Sequence, residues 1–550
     1  MGVRILDGTD RGPRIIDAAA LIAIVALTAL PYVGQLGFYS DDWNLLAAFR
    51  EAEQSGRSVI GATLPSYGVR PVQGIYLALL YDAFGLRPLG YHLVNTAVIA
   101  ACVALFYMLL LRLRVTRAEA FASALVFAVL PQLSTVRVWY AAFQIPLSMA
   151  FALAAMHAQL SFRRSRRAWV LAVAVGAACL SIGAYEIFAP LMAGLAAALL
   201  VSSWRKRRDA GWQAYLGPVA VLAAVALCTG LKLLSDRLVD PVNYESMARV
   251  FLSPRYDWRI SYGLNVFAAL QVHFWFPLRD WSLALVRLAS GRAGLELTAI
   301  CVAVAALCWW RVNPEPRVLH RSDCLRLLIL GIAAFVLGHA TFLLTSAIMF
   351  APTGIGNRVL VAGAVGAAMI LVALAGFLSS LSSPASRRVI LASLLAVVTA
   401  GAVARLEGVE RYWAEAPALE HQVLEAARTD LAKLPPGATV ILDGVCAYHG
   451  PAIVFENDWD TGGALAIVLN RRIGADVVSP RMLLTRTGLD TSIYDFASHY
   501  PFGPMLFAYN PRLHLLVPLT DAAAARHYFL RYDRRPFRCP IAYVGVGVPV

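Results

Sequence analysis

The chain has 550 residues, of which 59% are hydrophobic and only 15% are charged, and its mean hydropathy is +0.64. A soluble enzyme of this length covers its core with many more charged residues, so the composition excludes that class and predicts a polytopic membrane protein. The net charge of +14 does not indicate nucleic acid as a partner, because the positive charges lie in short clusters between apolar runs.

The charge distribution divides the chain into two parts. Residues 405–550 hold 14 Lys and Arg against 15 Asp and Glu and contain no apolar run of bilayer length, whereas residues 1–404 carry the whole positive excess. We therefore predict a transmembrane domain over residues 1–404 and a soluble domain over residues 405–550.

The basic clusters predict the membrane topology. Cytoplasmic connections carry an excess of Lys and Arg, and here six basic clusters alternate with connections that carry few cations. The clusters are Arg4/Arg11/Arg14, Arg112/Arg114/Arg117, Arg163/Arg164/Arg166/Arg167, Arg205/Lys206/Arg207/Arg208, Arg311/Arg317/Arg321 and Arg387/Arg388. This alternation predicts a protein of the plasma (inner) membrane with a cytoplasmic N-terminus.

About eleven transmembrane helices are predicted from the apolar runs. They fall near residues 15–36, 89–111, 118–131, 138–160, 168–183, 187–203, 212–233, 293–310, 325–345, 359–380 and 389–404. The first has no small-residue cleavage site before YSDDWN, so we interpret it as an uncleaved anchor. An odd number of spans places the C-terminal domain outside the cytoplasm, and an even number would place it inside.

Two predicted external connections, residues 37–88 and 234–292, are too long to be simple turns. The first contains VQGIYLALLYDAFG, which is too short to span a bilayer comfortably and is typical of an interfacial or re-entrant helix. The second is rich in Trp, Tyr and Arg, as expected near lipid headgroups. Long ordered loops of this kind tend to be functional.

The C-terminal part predicts a small α/β extracytoplasmic domain. Four β-rich runs (ATVILDGV, ADVVSP, LHLLVPL and IAYVGVGV) alternate with helical segments near residues 416–434, 463–472 and 521–528. Its potential ligand residues fit no zinc or calcium spacing, and solvated loop residues are the better interpretation; they are Asp443, Cys446, His449, Glu456, Asp458 and Asp460. Cys446 and Cys539 either form a disulfide or remain two separate thiols.

Two adjacent carboxylates, Asp41 and Asp42, follow the first span directly in the segment FYSDDWN. The low dielectric at the edge of a bilayer raises the pKa of a carboxyl group unless cations or a metal compensate. Carboxyl groups shifted in this way are candidate general bases. Taken alone, the pair is explained at least as well by solvated Asp residues at a helix end.

The motifs that follow the acidic pair give it a context. They are YGVRPVQ in the first external connection, GLRPLGYHLVNTAV at the second span, LPQLSTVRVWY after the third and AYEIFAP between the fifth and sixth. Together with the acidic pair, this order resembles the GT-C superfamily of membrane glycosyltransferases, which includes protein O-mannosyltransferases and lipid A aminoarabinose transferases. The resemblance covers roughly residues 15–205 by motif and the remainder by architecture, and it implies a GT-C-like fold.

The resemblance implies an inverting sugar transfer on the extracytoplasmic face. One carboxylate, Asp41 or Asp42, takes the proton of an acceptor hydroxyl, which attacks the anomeric carbon as a lipid phosphate departs; we expect Asp41 first. The partners implied are a polyprenyl-phosphate-linked sugar donor, a glycan, lipid or protein acceptor, and the membrane lipids.

The leaving phosphate develops negative charge, so cations must lie near it in a partly dry site. The candidate substrate-binding cations are Arg70, Lys232, Arg255, Arg259, Arg279 and Arg358. For each one, contact with lipid headgroups is the alternative. Arg358 has the strongest case because it follows a Gly-rich segment, PTGIGNR, in which backbone N–H groups can approach a phosphate. A plain turn is the alternative there.

Glu186 and His92 are further substrate-binding candidates. Glu186 stands almost alone among apolar residues and matches an acidic residue that members of the superfamily often carry there. It either orients substrate or a cation, or caps the helical hairpin. His92 lies one turn from Asn95 near the outer end of the second span, and hydrogen bonding between helices is its alternative role.

No cofactor is predicted, and a divalent metal is doubtful. Some relatives carry Glu and His in the turn after the third span, whereas this chain has Gln132, Leu133 and Thr135 there. Two other functions stay open. A transporter or flippase for lipid-linked sugars would need ionisable residues near mid-bilayer and often inverted repeats. A membrane-anchored cell-envelope assembly or binding protein would work through its C-terminal domain alone.

Overall fold

A computed structural model describes residues 11–65, 67–205, 212–239, 258–291, 295–312, 320–344, 350–383, 386–493 and 496–531. Within these ranges, eight helices are long and apolar enough to cross a membrane, or nine if one bent pair of helices counts as a single span. The protein is therefore a multi-pass helical membrane protein, as predicted.

The helices follow the apolar runs of the sequence. In chain order they are α1 (Arg11–Val33), α2 (Asp41–Gln54), α3 (Val59–Thr63), α4 (Pro71–Phe84), α5 (Pro88–Arg112), α6 (Arg117–Val129), α7 (Ser134–Val138), α8 (Gln144–Ser165), α9 (Ala168–Ala184), α10 (Ala189–Arg205), α11 (Gln213–Val239), α12 (Trp258–Leu270), α13 (Phe276–Ala289), α14 (Leu295–Val312), α15 (Arg321–His339), α16 (Val361–Ser379), α17 (Arg387–Asp430), α18 (Asp458–Leu469) and α19 (Ala522–Arg531).

Three of the predicted spans differ in form from a single long helix. The third is broken, with Arg117–Val129 and Pro131–Val138 meeting at 55°. Proline at the break cannot donate the backbone hydrogen bond that would continue the helix. Two others are short apolar helices, Ala168–Ala184 and Leu297–Val312. Eight or nine full-length spans are present in the described part of the chain, and the total of eleven stays a prediction.

One end of the bundle is tied together by a buried carboxylate. Asp17 on α1 accepts hydrogen bonds from Arg117 Nε and the Tyr107 hydroxyl, each at 2.6 Å, and also pairs with Arg311. A buried charge needs such partners. Three helix ends next to predicted basic clusters therefore lie on the same side of the bundle. The compartment that this side faces is a prediction from the charges.

Helices α15 and α16 approach closely through glycines. A Cβ atom at Gly338 would lie 2.5 Å from the backbone of Ala362, and one at Gly366 would lie 2.2 Å from the backbone nitrogen of Phe335. Small residues at helix interfaces allow this separation. The close pair holds the segment that precedes α16, which carries Arg358, in a fixed position.

Helix α17 connects the membrane domain to the C-terminal domain. It runs without interruption for 44 residues, from Arg387 to Asp430. The predicted domain boundary after residue 404 therefore falls inside a helix, at the point where the sequence changes from apolar to polar.

The C-terminal domain combines helices with a mixed sheet, which agrees with the predicted α/β class. Strand β1 pairs in parallel with both β4 and β8, and β9 extends the sheet antiparallel to β8, giving the order β4-β1-β8-β9. The strands are β1 (Thr439–Leu442), β2 (Tyr448–His449), β3 (Ala452–Ile453), β4 (Gly474–Val477), β5 (Leu483–Leu484), β6 (Gly488–Ile493), β7 (Phe496–Pro501), β8 (Leu506–Asn510) and β9 (Leu515–Pro518).

Three of the four predicted strand runs coincide with β1, β4 and β9, and the fourth, IAYVGVGV, lies outside the described residues. The predicted helix near residues 416–434 is the end of α17. Cys446 is disulfide-bonded. Cys539, for which the sequence left pairing with Cys446 open, lies outside the described residues.

Candidate active site

The two carboxylates of the acidic pair point in different directions. Both lie in the first turn of α2, but Asp42 is completely buried, whereas Asp41 is exposed. Successive residues of a helix project about 100° apart, which explains the difference. Only one of the two is therefore accessible to a substrate.

Asp42 has a positioning role. Its Oδ2 accepts the backbone N–H of Tyr39 at 2.9 Å and its Oδ1 accepts the backbone N–H of Ala141 at 2.7 Å. Burial raises the pKa of Asp42 well above its usual range, and the backbone hydrogen bonds oppose that shift only in part. Asp42 thus fastens the start of α2 to the turn that precedes α8.

Asp41 is held by the C-terminal domain. The indole N–H of Trp459, on α18, donates a hydrogen bond to Oδ1 of Asp41 at 2.8 Å. In the described part of the chain, Oδ2 of Asp41 accepts no hydrogen bond. Asp41 is therefore fixed in orientation while one oxygen remains available to accept a proton.

The residue before Asp41 has an unusual backbone conformation. Ser40 has a φ angle of 49°, a region that non-glycine residues avoid and that is often occupied at functional sites. Its hydroxyl lies 3.3 Å from Oε1 of the buried Glu456, which also accepts the hydroxyl of Tyr448. Contacts from the C-terminal domain therefore support this conformation.

Two cations meet at Glu186, next to the connection between α1 and α5. Arg70, at the start of α4, makes two hydrogen bonds to Glu186, at 2.8 and 3.1 Å, and stacks over Tyr185 at 4.3 Å. Lys232 lies 3.8 Å from the same carboxylate. These three charged groups carry a formal charge of +1 together, so the cluster attracts an anion.

Tyr67 precedes Arg70 in the chain, and its pKa is affected by charges of both signs. Its pKa is raised to about 12, first by burial and then by the negative charges of Asp41 and Asp42, while the positive charge of Arg70 acts in the opposite direction. Arg70 lies one turn further along the chain, and its backbone N–H donates to the carbonyl of Tyr67 at 2.8 Å. Tyr67 is therefore a neighbour of Arg70 whose pKa responds to the charge of the acidic pair.

Arg358 is connected through Trp139 to the backbone just before the acidic pair. Its guanidinium stacks on the ring of Trp139 at 4.9 Å, and the indole of Trp139 donates to the backbone carbonyl of Tyr39 at 3.0 Å. The neighbouring Asn357 is buried and donates to the carbonyls of Pro131 and Pro352. The predicted Gly-rich turn is therefore anchored against the turn after α6.

The structure places the other sequence candidates away from this cluster or leaves them undescribed. His92 is buried, with Nε2 3.0 Å from the carbonyl of Gly37, so it supports the backbone before the acidic pair. Arg279 pairs with Asp280. Arg255 lies outside the described residues, and Arg259 lies on α12 with its side chain outside them.

No group of three or more His, Cys, Asp or Glu residues in the described ranges is arranged to hold a metal ion. The carboxylates around the start of α2 instead bind protein groups. Asp460, for example, accepts the backbone N–H groups of Glu456 and Asn457 as part of the cap of α18.

Sequence reasoning missed Tyr67 and Trp459. Tyr67 lies three residues before Arg70 in the motif YGVRPVQ, so its proximity could have been inferred. Trp459 is 418 residues from Asp41 in the chain, and no local pattern indicates that contact.

No protein-family model and no curated protein matches the chain. Among solved structures it is similar to ArnT from Cupriavidus metallidurans bound to undecaprenyl phosphate, with 14% identity, coverage of 85% of this chain and 86% of that one, and a TM-score of 0.37. It is similar to arabinosyltransferase EmbB from Mycobacterium smegmatis at 16% identity, 76% and 43% coverage and a TM-score of 0.34. It is also similar to the Archaeoglobus fulgidus oligosaccharyltransferase at 10% identity, 85% and 65% coverage and a TM-score of 0.41.

Proposed function

We propose that the protein is an inverting glycosyltransferase that moves a sugar from a polyprenyl-phosphate donor to an acceptor hydroxyl on the extracytoplasmic face of the membrane. The proposal is carried by two observations: one accessible, oriented carboxylate, Asp41, at the start of α2, and a cation cluster of Arg70 and Lys232 held by Glu186. A base and a separate anion-binding group are what this displacement requires.

In the proposed reaction Asp41 accepts the proton of the acceptor hydroxyl. The hydroxyl oxygen forms the new bond to the anomeric carbon, and the bond from that carbon to the phosphate oxygen breaks on the opposite face. The electron pair of the broken bond stays on the lipid phosphate. Arg70 and Lys232 stabilise the charge that develops there, and inversion at the anomeric carbon follows from a single displacement.

Two features support Asp41 rather than Asp42 as the base. Asp42 uses both oxygens to bind backbone N–H groups and is completely buried, so an acceptor hydroxyl cannot reach it. Asp41 is exposed and its position is fixed by Trp459. Arg358, close behind the acidic pair through Trp139, is a second candidate for contact with the phosphate.

The test uses purified protein and synthetic polyprenyl-phosphate pentoses and hexoses, and it measures released polyprenyl phosphate. We expect Asp41→Asn to slow release by roughly 10²- to 10⁴-fold, the usual contribution of a general base, with the thermal unfolding midpoint unchanged. The side-chain amide oxygen of the variant can still accept the Trp459 hydrogen bond, so the variant tests chemistry rather than folding.

Each alternative function gives a different result. A flippase moves an intact fluorescent lipid-linked sugar across a liposome membrane without releasing polyprenyl phosphate. An assembly or binding protein does neither. Either outcome, or wild-type rates in Asp41→Asn, contradicts the proposal.

A further inference from the structure

A groove of about 860 Å³ separates α2 from α18 and the edge of the C-terminal sheet. Residues of both domains line it, including Asn44, Ala48, Thr439, Asp458, Trp459 and Tyr500. The groove is therefore a feature of the interface between the membrane domain and the C-terminal domain.

Small residues of both helices line the groove, and they leave room for it. They are Ala47 and Ala48 on α2 and Gly462 and Ala466 on α18. The two helices still make close contact at Gly463, where a Cβ atom would lie 2.6 Å from the backbone of α2. The helices are thus held together at one point and leave open space beside it.

Trp459 connects the groove to the proposed base. Asp41, Asn44, Ala48 and Glu51 are spaced three or four residues apart and share one face of α2. Trp459 lines the groove and also donates to Asp41 at 2.8 Å. A molecule lying in the groove beside Trp459 and Asn44 therefore comes within about one helical turn, roughly 5 Å, of the carboxylate.

The walls combine aromatic rings with polar groups. Trp459 and Tyr500 supply the rings. In the described residues, the side chains of Asn44, Thr439 and Asp458 line the groove and make no hydrogen bonds. An amide, a hydroxyl and a carboxylate can together donate to and accept from several hydroxyl groups.

We propose that this groove is the acceptor site and that the acceptor is a hydroxyl-rich oligosaccharide. The inference rests on the proposed function and names its acceptor class. Polar groups pair with sugar hydroxyls, while the aromatic rings cover the apolar C–H faces of sugar rings. A lipid tail would displace water from these polar walls and offer them no hydrogen-bond partners in return.

The rim of the groove carries charged side chains that can bind a polar ligand. Arg472 makes a bidentate ion pair with Glu51 across it, at 2.5 to 3.1 Å, with both side chains substantially exposed. Exposed ion pairs contribute little stability, so this one can rearrange when a ligand enters. A peptide that adds to the edge strand β4, whose Gly474 and Ala475 reach the groove, is the competing occupant that the experiment must exclude.

The experiment measures binding by saturation-transfer NMR, using the full-length protein in nanodiscs. The probes are hexasaccharides of glucose, mannose, galactose, arabinose and N-acetylglucosamine, with a Ser- and Thr-containing hexapeptide for comparison. We expect at least one hexasaccharide to bind. Ala48→Trp, which fills the groove, should weaken that binding at least tenfold, and Asn44→Ala should weaken it severalfold.

Ala426→Trp is the matched control. Ala426 lines a different cleft, between α17 and residues 445–454, so this variant should bind the hexasaccharide within twofold of the wild type. Absence of hexasaccharide binding, binding of the peptide alone, or undiminished binding by Ala48→Trp overturns the inference.

Asp41→Asn separates the inference from the proposed function. This variant should bind the hexasaccharide like the wild type while failing to release polyprenyl phosphate. If the wild type binds the hexasaccharide in the groove but releases no polyprenyl phosphate from any donor, the proposed transferase activity is wrong and the groove remains a glycan-binding site.

Discussion

At the scale of single residues, the acidic pair shows how neighbouring carboxylates acquire different tasks. Asp42 points into the core and binds backbone N–H groups of two segments, whereas Asp41 points outward and is oriented by Trp459. The first residue holds the site together and the second is available to react. Substitutions at the two positions should therefore separate stability from chemistry.

We expect Asp42→Asn to lower stability by about 1–3 kcal/mol. The amide nitrogen of Asn must face either the Tyr39 N–H or the Ala141 N–H, because both carboxylate oxygens accept hydrogen bonds. One buried donor then loses its acceptor. The thermal midpoint in detergent measures the change, with Asp41→Asn as the control. An unchanged midpoint for Asp42→Asn would show that Asp42 does not fasten α2.

We expect Glu186→Gln to raise the KM for a polyprenyl-phosphate sugar by about tenfold, with a smaller effect on kcat. The neutral amide cannot balance Arg70 and Lys232, whose positive charges would then repel each other, and Arg70 would lose its bidentate partner. Arg428→Ala, which removes an exposed cation far along α17, is the control. A wild-type KM in Glu186→Gln would mean that this cluster does not bind the donor.

At the scale of elements, the contact of α2 with α18 connects the two domains at the proposed base. Gly463 allows the helices to touch, since a Cβ atom there would lie 2.6 Å from Trp43 and Asn44 backbone atoms. At the adjacent Gly462, a Cβ atom would meet its nearest neighbours at 3.7 and 3.8 Å. Gly462→Ala is therefore a matched control for Gly463→Ala, because only Gly463 is in tight contact with α2.

Gly463→Ala should cost about 1–3 kcal/mol through overpacking and should reduce transfer, because α18 must move and Trp459 moves with it. Gly462→Ala should be neutral or stabilising, because alanine favours a helix by up to about 1 kcal/mol over glycine. The thermal unfolding midpoint and the rate of sugar transfer are measured for both variants. Equal changes in the two variants would contradict the close contact between α2 and α18.

The elements also show what the sequence could predict. Apolar runs identify membrane helices because burial in lipid depends on local composition, and α1, α5 and α16 lie where they were expected. The order of short motifs predicted Asp41, Arg70 and Glu186 as site residues, and their roles stay predictions. The role of Trp459 could not be predicted from the sequence, because its contact with Asp41 depends on how two segments far apart in the chain pack together.

Arg137 is a second residue whose contacts could not be predicted from the sequence. The sequence places it in a short external connection, but its side chain is buried and paired with Glu410 of α17. It also donates to the hydroxyl of Thr28 at 2.8 Å. A charged residue in a connection gives no indication of a buried partner that lies 273 residues further along the chain.

At the scale of the whole molecule, the interface between the domains contains buried carboxyl groups that respond to pH. Burial raises the pKa of Asp42 and of Asp460 well above the ordinary value of 3.8. Above pH 3.8 the folded protein therefore retains protons that the unfolded chain releases. These two groups stabilise the fold most at low pH, and their contribution falls as the pH rises through their raised pKa values.

Asp460→Asn should remove part of this pH dependence. The difference in stability between the variant and the wild type should shift in favour of the variant as the pH rises from 4 to 8, by at most about 1.4 kcal/mol per pH unit. Thermal midpoints measured across that range give the difference. A difference that does not vary with pH would mean that the pKa of Asp460 is not raised.

The most direct test of the account is a cryo-EM structure of the protein incubated with decaprenyl phosphate. We expect the phosphate to contact Arg70 or Lys232, with Asp41 facing it and still bound to Trp459. A phosphate bound at the opposite end of the bundle, near Asp17 and its arginines, would contradict the proposed site.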